Sequence, residues 1–125
     1  VGLNGGEVSG EEWVIDLLAH DPPPALTFLV FRPTRGTPFE RCRAPEVDRV
    51  VDLIDRACDL LSCDLHLGCM RPAGGYRARL DPLAWLAGAR TVVMPEQRFV
   101  ETLLHGGISI TRSTECCSLP PLVSE

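Results

Sequence analysis

The sequence contains no lysine, and all 12 of its basic residues are arginine. Use of arginine alone is typical of a GC-rich genome rather than of a binding surface. The formal net charge of −5 argues against a nucleic-acid face, which needs a concentrated basic stripe. Nucleic acid is therefore not among the expected partners.

Long apolar runs and a charged leader followed by an apolar stretch are also missing. A membrane-spanning helix needs roughly 18 to 20 consecutive apolar residues, and no run approaches that length. We therefore expect no membrane partner and a cytoplasmic location. The chain begins at Val1 rather than at methionine, so we expect a processed chain or a fragment.

Cys-x2-Cys pairs are absent, which leaves a zinc ribbon without support. The cysteines lie at positions 42, 58, 63, 69, 116 and 117. Adjacent Cys116 and Cys117 cannot easily bridge to each other, and nothing indicates secretion, so reduced thiols fit better than disulfides. Cys58 lies inside a helical pattern and is interpreted as a small core residue.

What the sequence does contain is an alternation of strand and helix patterns, about four βα units in all. The end of a strand followed by a glycine turn is predicted at Val1–Glu7. Further strands are predicted at Ala25–Phe31, Asp64–Leu67 and Thr91–Met94. Helices are predicted from Ser9, which has capping-box spacing to Glu12, from Pro45 to about Leu61, over Leu80–Ala87 and over Gln97–His105.

This alternation predicts an α/β fold with parallel strands joined by right-handed crossovers. Such units build either part of a (β/α) barrel of the TIM type or part of an open, doubly wound sheet. No Gly-x-Gly-x-x-Gly follows a strand, so the dinucleotide fingerprint is missing and the partial barrel is favoured. We expect the barrel units in residues 1–113 and a cysteine-containing tail in residues 114–125.

The run from Asp64 to Pro72 reads as a buried strand that ends in a cluster of reactive side chains. Gly68 lets the backbone turn where Cys69, Met70 and Arg71 emerge. A soft thiolate, a thioether and a guanidinium together suit a metal–sulfur centre beside an anionic ligand. In a barrel this strand end faces the active site.

Three segments together resemble the carboxy-terminal half of a radical S-adenosylmethionine enzyme. They are Gly2-Leu-Asn-Gly-Gly-Glu7, Phe31-Arg-Pro-Thr-Arg-Gly-Thr-Pro38, and Leu67-Gly-Cys-Met-Arg-Pro72 with Tyr76-Arg77 after it. The resemblance covers nearly the whole chain. It is strongest to the biotin-synthase-like branch, which includes the two-subunit, archaeal-type lipoyl synthases.

One departure from the superfamily pattern limits what this chain can do alone. The Cys-x3-Cys-x2-Cys loop that holds the catalytic [4Fe–4S] cluster is absent, so this chain by itself is not expected to bind that cluster or to cleave S-adenosylmethionine. In the whole enzyme, the resemblance implies a 5′-deoxyadenosyl radical that abstracts hydrogen, with sulfur insertion of the lipoyl or biotin type as the favoured reaction. The implied partners are a small-molecule or lipoyl/octanoyl-type substrate and a second radical S-adenosylmethionine subunit.

The resemblance also implies roles for individual residues. Cys69 and Arg71 are the implied catalytic residues, with Arg71 as a carboxylate or phosphate clamp. The implied ligands of an auxiliary iron–sulfur cluster are His66, Cys69, Cys116 and Cys117. The residues implied to line the cofactor are Gly2, Asn4, Gly5, Gly6, Glu7, Val30 and Phe31.

Each of these roles has a plainer alternative. The alternative for the glycine segment is a plain tight turn, and Val30 and Phe31 read equally as core residues. His66 and Cys69 read as structural residues, Arg71 as one half of an ion pair with Asp81 or Glu96, and the cysteine tail as inert. For the chain as a whole, the alternatives are a non-catalytic α/β module that docks onto another half-barrel and a phosphate-binding barrel fragment that uses Gly74-Gly75 before a helix.

Overall fold

A computed structural model describes residues 1–114 of the chain. Within this range helices and strands alternate. In chain order the elements are α1 (Glu11–Leu18), β1 (Ala25–Phe28), α2 (Val47–Leu60), β2 (Asp64–Leu67), α3 (Gly75–Leu86), β3 (Thr91–Val92) and α4 (Gln97–His105).

The three strands form one parallel sheet in the order β1-β2-β3. Leu26 lies opposite Leu65, and Leu67 lies between Phe28 and Val92. The strand order follows the chain order, and a helix connects each strand to the next. The predicted α/β class with parallel strands is confirmed.

The hydrophobic core lies between one face of this sheet and the helices. α2 contributes buried residues at helical spacing, Val47, Val50, Leu53, Ile54 and Ala57. These pack with Phe28, Val30, Leu65 and Leu67 of the sheet and with Leu80 and Ala84 of α3. Consecutive helices contact each other, α1 with α2, α2 with α3 and α3 with α4, so the helices form one layer.

Because side chains alternate along a strand, Thr27, His66 and Thr91 share the second face of the sheet. His66, in the central strand, is only 3% exposed.

The first residue of the chain adds to the outer edge of the sheet. The Val1 amino group donates to the Leu29 carbonyl at 2.5 Å, and the Phe31 N–H donates to the Val1 carbonyl at 2.8 Å. Val1 therefore sits opposite Val30 as a residue of a parallel strand would. The chain then turns back, with an isolated antiparallel bridge between Asn4 and Glu7, which agrees with the predicted strand end and glycine turn.

Two helix starts differ from the prediction. Gly10, with φ of 86°, precedes α1 in place of Ser9, and no side chain caps this end. α3 begins at Gly75 rather than at Leu80 and contains Pro82. The start of α3 is held by a hydrogen bond from Tyr76 to the Pro45 carbonyl, just before α2, and by an ion pair between Arg79 and Asp48 of α2. These tertiary contacts outweigh the local glycine and proline signals.

The core assignment of Cys58 is wrong, because the structure exposes this residue. It follows Ala57, the last buried residue of α2, and so falls beside the apolar stripe rather than on it. Among residues 1–114, no helix is long and apolar enough to cross a membrane.

Candidate functional site

The carboxyl ends of parallel strands meet at the same edge of a sheet. The segments that follow Val1, β1, β2 and β3 therefore all start at one edge, which we call the carboxyl edge: residues 2–7, 29–46, 68–74 and 93–96. The Val30 N–H donates to the Met70 carbonyl at 2.8 Å and joins the second of these segments to the third. All three segments that carry the resemblance start at this edge.

The Gly2–Glu7 turn is held by its own backbone and by α1. Gly6 donates its N–H to the Gly2 carbonyl at 2.9 Å, and Gly2 donates its N–H to the Glu11 carboxylate at 2.7 Å. A β-carbon at Gly6 would lie 1.8 Å from the Arg43 carbonyl oxygen, and one at Gly2 would lie 2.2 Å from the Pro45 ring. Close packing against the segment before α2 thus explains why both positions are glycine. This agrees with the alternative interpretation of the segment as a tight turn.

Beside this turn lies an open groove of about 490 Å³. The groove is open to solvent, and the charged side chains that line it are exposed. Its charged side chains are of both signs. The lining includes Gly5, Gly6, Glu7, Arg43, Glu46 and Arg49.

Four residues implied to line a cofactor, Gly2, Asn4, Val30 and Phe31, do not line this groove. Val30 is fully buried in the core on the helix side of the sheet, which is the plainer alternative for this residue. Phe31 is half-buried, and its ring packs edge-on against Phe39 at a centroid distance of 6.1 Å. Asn4 is exposed on the turn.

Arg71 is 1% exposed and forms a bidentate ion pair with Asp81 of α3. Its Nε donates to Asp81 Oδ1 at 2.8 Å, and its Nη2 donates to Oδ2 at 3.0 Å. Nη1 donates to the carbonyls of Gly68 and Val93 at 2.6 and 2.8 Å, and Nη2 also reaches the Met94 carbonyl at 3.3 Å. All five N–H donors of the guanidinium are engaged.

This arrangement matches the ion-pair alternative for Arg71. To clamp an anionic ligand, Arg71 would have to give up bonds that it makes within the protein. Breaking a buried, hydrogen-bonded pair in this way is costly, because it leaves a charge without its partner.

Cys69 is exposed at the carboxyl edge, whereas His66 is buried within β2, so the two implied metal ligands differ in environment. Within residues 1–114, no three His, Cys, Asp or Glu side chains come together in a way that could hold a metal ion. Cys116 and Cys117 lie outside the described residues.

Sequence reasoning gave Asp81 no role of its own and overlooked Met94. Asp81 is fully buried, and Met94 has a φ of 48°, the one positive value among the described non-glycine residues. The signal for Asp81 was present, since an acidic residue beside Leu80 and three residues before Ala84 falls within the apolar stripe of α3. Nothing local predicts the conformation of Met94.

Comparison of the chain with protein-family models, with curated proteins and with solved structures returned no match.

Proposed function

We propose that this chain is the carboxy-terminal half of a radical S-adenosylmethionine enzyme, with sulfur insertion of the lipoyl or biotin type as the favoured reaction. The observation that carries the proposal is the common origin, at the carboxyl edge, of the three segments that carry the resemblance. Functional groups of (β/α) barrels collect at this edge of the strands. Three short segments distant in sequence therefore start where one site would need them.

The strand order follows the chain without reversal, and the helices form one layer. This arrangement is compatible with part of a barrel and equally with one half of an open doubly wound sheet, whose strand order reverses only between its halves. The resemblance is what favours the barrel in this proposal. Val1 pairs with Val30 in parallel fashion on the outer side of β1. This side of the sheet can therefore accept a further parallel strand, which the rest of a barrel would provide.

The groove beside the glycine turn carries charges that complement part of S-adenosylmethionine. The amino-acid end of that molecule carries an ammonium and a carboxylate, and the groove offers Glu7 and Glu46 to the first and Arg43 to the second. When bound in the whole enzyme, the cofactor and its [4Fe–4S] cluster supply the radical. The residues of this chain would bind and orient the cofactor.

The described residues fit an auxiliary cluster only in part, because among residues 1–114 Cys69 is the one implied thiolate. We therefore assign Cys69 to the site as a soft ligand or redox thiol. We propose no reaction step that uses a second cluster. The lipoyl/octanoyl-type substrate, a second subunit of the superfamily and a cytoplasmic location remain parts of this proposal.

Cofactor binding can be tested on this chain directly, by calorimetric titration with S-adenosylmethionine. We expect Glu7→Gln and Arg43→Ala to weaken binding by about tenfold each, since each removes a charge-assisted contact. The matched control is Glu101→Gln, which removes an exposed carboxylate on α4 that is distant in sequence from the groove. Equal affinities in all three variants, or no binding to the unmodified chain, would contradict the assignment of the groove.

The family assignment has a separate test in the complete protein. Residues encoded before Val1 should include Cys-x3-Cys-x2-Cys, and anaerobic reconstitution should load iron and acid-labile sulfide. In that protein Cys69→Ser should lower turnover sharply while folding survives, because a hard hydroxyl replaces a soft thiolate. A colourless protein that binds no S-adenosylmethionine would favour the non-catalytic docking module instead.

A further inference from the structure

We propose that Arg71 and Asp81 are positioning residues, which fix the segment that carries Cys69 against the segment that follows β3. The functional meaning of this inference rests on the proposed function, which places both segments in the site. The physical claim concerns residues 68–71 and 93–96, and it can be tested without any ligand.

The hydrogen bonds of Arg71 connect three parts of the fold. One guanidinium nitrogen, Nη1, donates to Gly68 at the end of β2 and to Val93 at the end of β3. The other two nitrogens hold the Asp81 carboxylate on α3. A planar guanidinium with fixed donor directions thus sets the separation of two neighbouring strand ends.

Asp81 extends the connection to the last helix. Its Oδ2 also accepts the Glu96 N–H at 2.8 Å, and the Glu96 side chain in turn accepts the Phe99 N–H at 3.0 Å, which caps α4. A continuous series of charge-assisted bonds therefore runs from the segment of Cys69 to the start of α4.

The backbone between these anchors is held in an unfavourable conformation. Met94 has a φ of 48°, in the left-handed region that is unfavourable for a non-glycine residue. Its carbonyl accepts bonds from Arg71 and from Arg77, each at 3.3 Å. Such a conformation persists where the surroundings determine it, and here two arginines do so.

Stability alone does not account for a buried pair of this kind. Replacing both partners of a buried ion pair by apolar residues of similar size is often neutral or stabilising, because the desolvation of two charges offsets their attraction. What apolar side chains cannot supply is the set of bonds to three backbone carbonyls. The ion pair therefore fixes the backbone of these segments in a position that an apolar pair would not fix.

The experiment compares two variants of the full chain by thermal unfolding and by peptide-resolved hydrogen exchange. The double variant Arg71→Met with Asp81→Leu removes the bonds and both charges. Arg71→Lys keeps the charge beside Asp81 but lacks the fork. We expect both to unfold cooperatively at a lowered midpoint, because the Gly68 and Val93 carbonyls lose their donor, and we expect exchange in residues 68–71 and 93–96 to rise about tenfold more than in α2.

The matched control is Asp48→Asn, which breaks an exposed pair with Arg79 on the same helix as Asp81 and should leave exchange in both segments unchanged. Unchanged exchange in a folded double variant, or in Arg71→Lys if the double variant does not fold, would overturn the proposal. So would faster exchange spread evenly over the chain. None of these measurements uses S-adenosylmethionine, so a failure here and a failure of the proposed function are told apart.

Discussion

The Tyr76 hydroxyl donates a hydrogen bond of 2.8 Å to the carbonyl of Pro45. This contact joins the first turn of α3 to the residue before the N-cap of α2, 31 positions away along the chain. Burial, with a smaller contribution from the Glu46 carboxylate, raises the pKa of Tyr76 to about 12. Because Tyr76 is the one tyrosine of the chain, its titration can be observed without interference from another phenol.

We therefore predict a stability loss at alkaline pH that belongs to Tyr76. Its pKa is near 10 in the unfolded chain, so the contribution is fully present below about pH 10 and is lost as pH rises through about 12. Since the phenol is partly exposed, we discount the shift and expect a loss of about 1 to 2 kcal/mol. Urea unfolding at a series of pH values between 10 and 12 measures this loss of stability. Absorbance titration of the phenolate measures the pKa itself.

Tyr76→Phe serves as the control for this prediction. It should cost about 1 kcal/mol at neutral pH, the usual net value of a hydrogen bond, and should flatten the alkaline decline. A decline of equal size in the phenylalanine variant would show that another group is responsible.

We predict that Gly6→Ala is far more destabilising than Gly36→Ala. Both glycines have positive φ, 95° and 80°, so both variants carry the backbone strain of about 1 kcal/mol. Only at Gly6 would the new β-carbon also overlap the Arg43 carbonyl, whereas at Gly36 nothing lies within 4 Å. Denaturant unfolding of the two variants should differ by about 2 kcal/mol or more, and similar values would mean that the turn relaxes freely.

We predict that the cysteines at positions 58 and 63 differ in reactivity. Burial, and then the neighbouring Asp64 carboxylate, raises the pKa of the Cys63 thiol, so its thiolate fraction at pH 8 is reduced. Site-resolved alkylation by iodoacetamide should therefore modify Cys58 before Cys63. Because Cys58 is exposed, Cys58→Ser should change stability by no more than about 0.5 kcal/mol.

The apolar side chains on the outer side of α1 are predicted to contribute little to stability. Trp13 and Leu17, four residues apart, are 67% and 53% exposed. Trp13→Ser should stay within about 0.5 kcal/mol of the unmodified chain, while Ile15→Ala on the buried side should cost about 2 to 4 kcal/mol. Thermal unfolding of the two variants tests this prediction. A large loss of stability in Trp13→Ser would show that the indole makes a stabilising contact within the chain.

The parts of the fold predicted well from sequence are those where periodicity and boundary residues agree. α2 has a repeated apolar stripe, and α4 spans its predicted range, Gln97–His105. The start of α3 could not be predicted, because Tyr76 and Arg79 fix it through partners on or just before α2, at Pro45 and Asp48. Local signals at Gly75 and Pro82 point the other way.

The same distinction between local signals and tertiary contacts applies to the candidate site. That Cys69 follows a buried strand could be predicted from the alternation of Leu65 and Leu67. That Arg71 turns inward to Asp81 could only be weighed as an alternative, since it depends on where α3 packs. The positive φ of Met94 depends on contacts from Arg71 and Arg77 and has no local sequence signal.

The match between chain order and sheet order has a consequence for how this protein folds. The principal contacts join each helix or strand to its neighbour in the same layer or to the adjacent layer, without long-range exchanges between the first and last elements. The principal contact of α4 is with α3, so α4 can open locally while the shared core stays intact. A lesion in α4 should therefore fray the chain from that end while α2 and β2 stay folded.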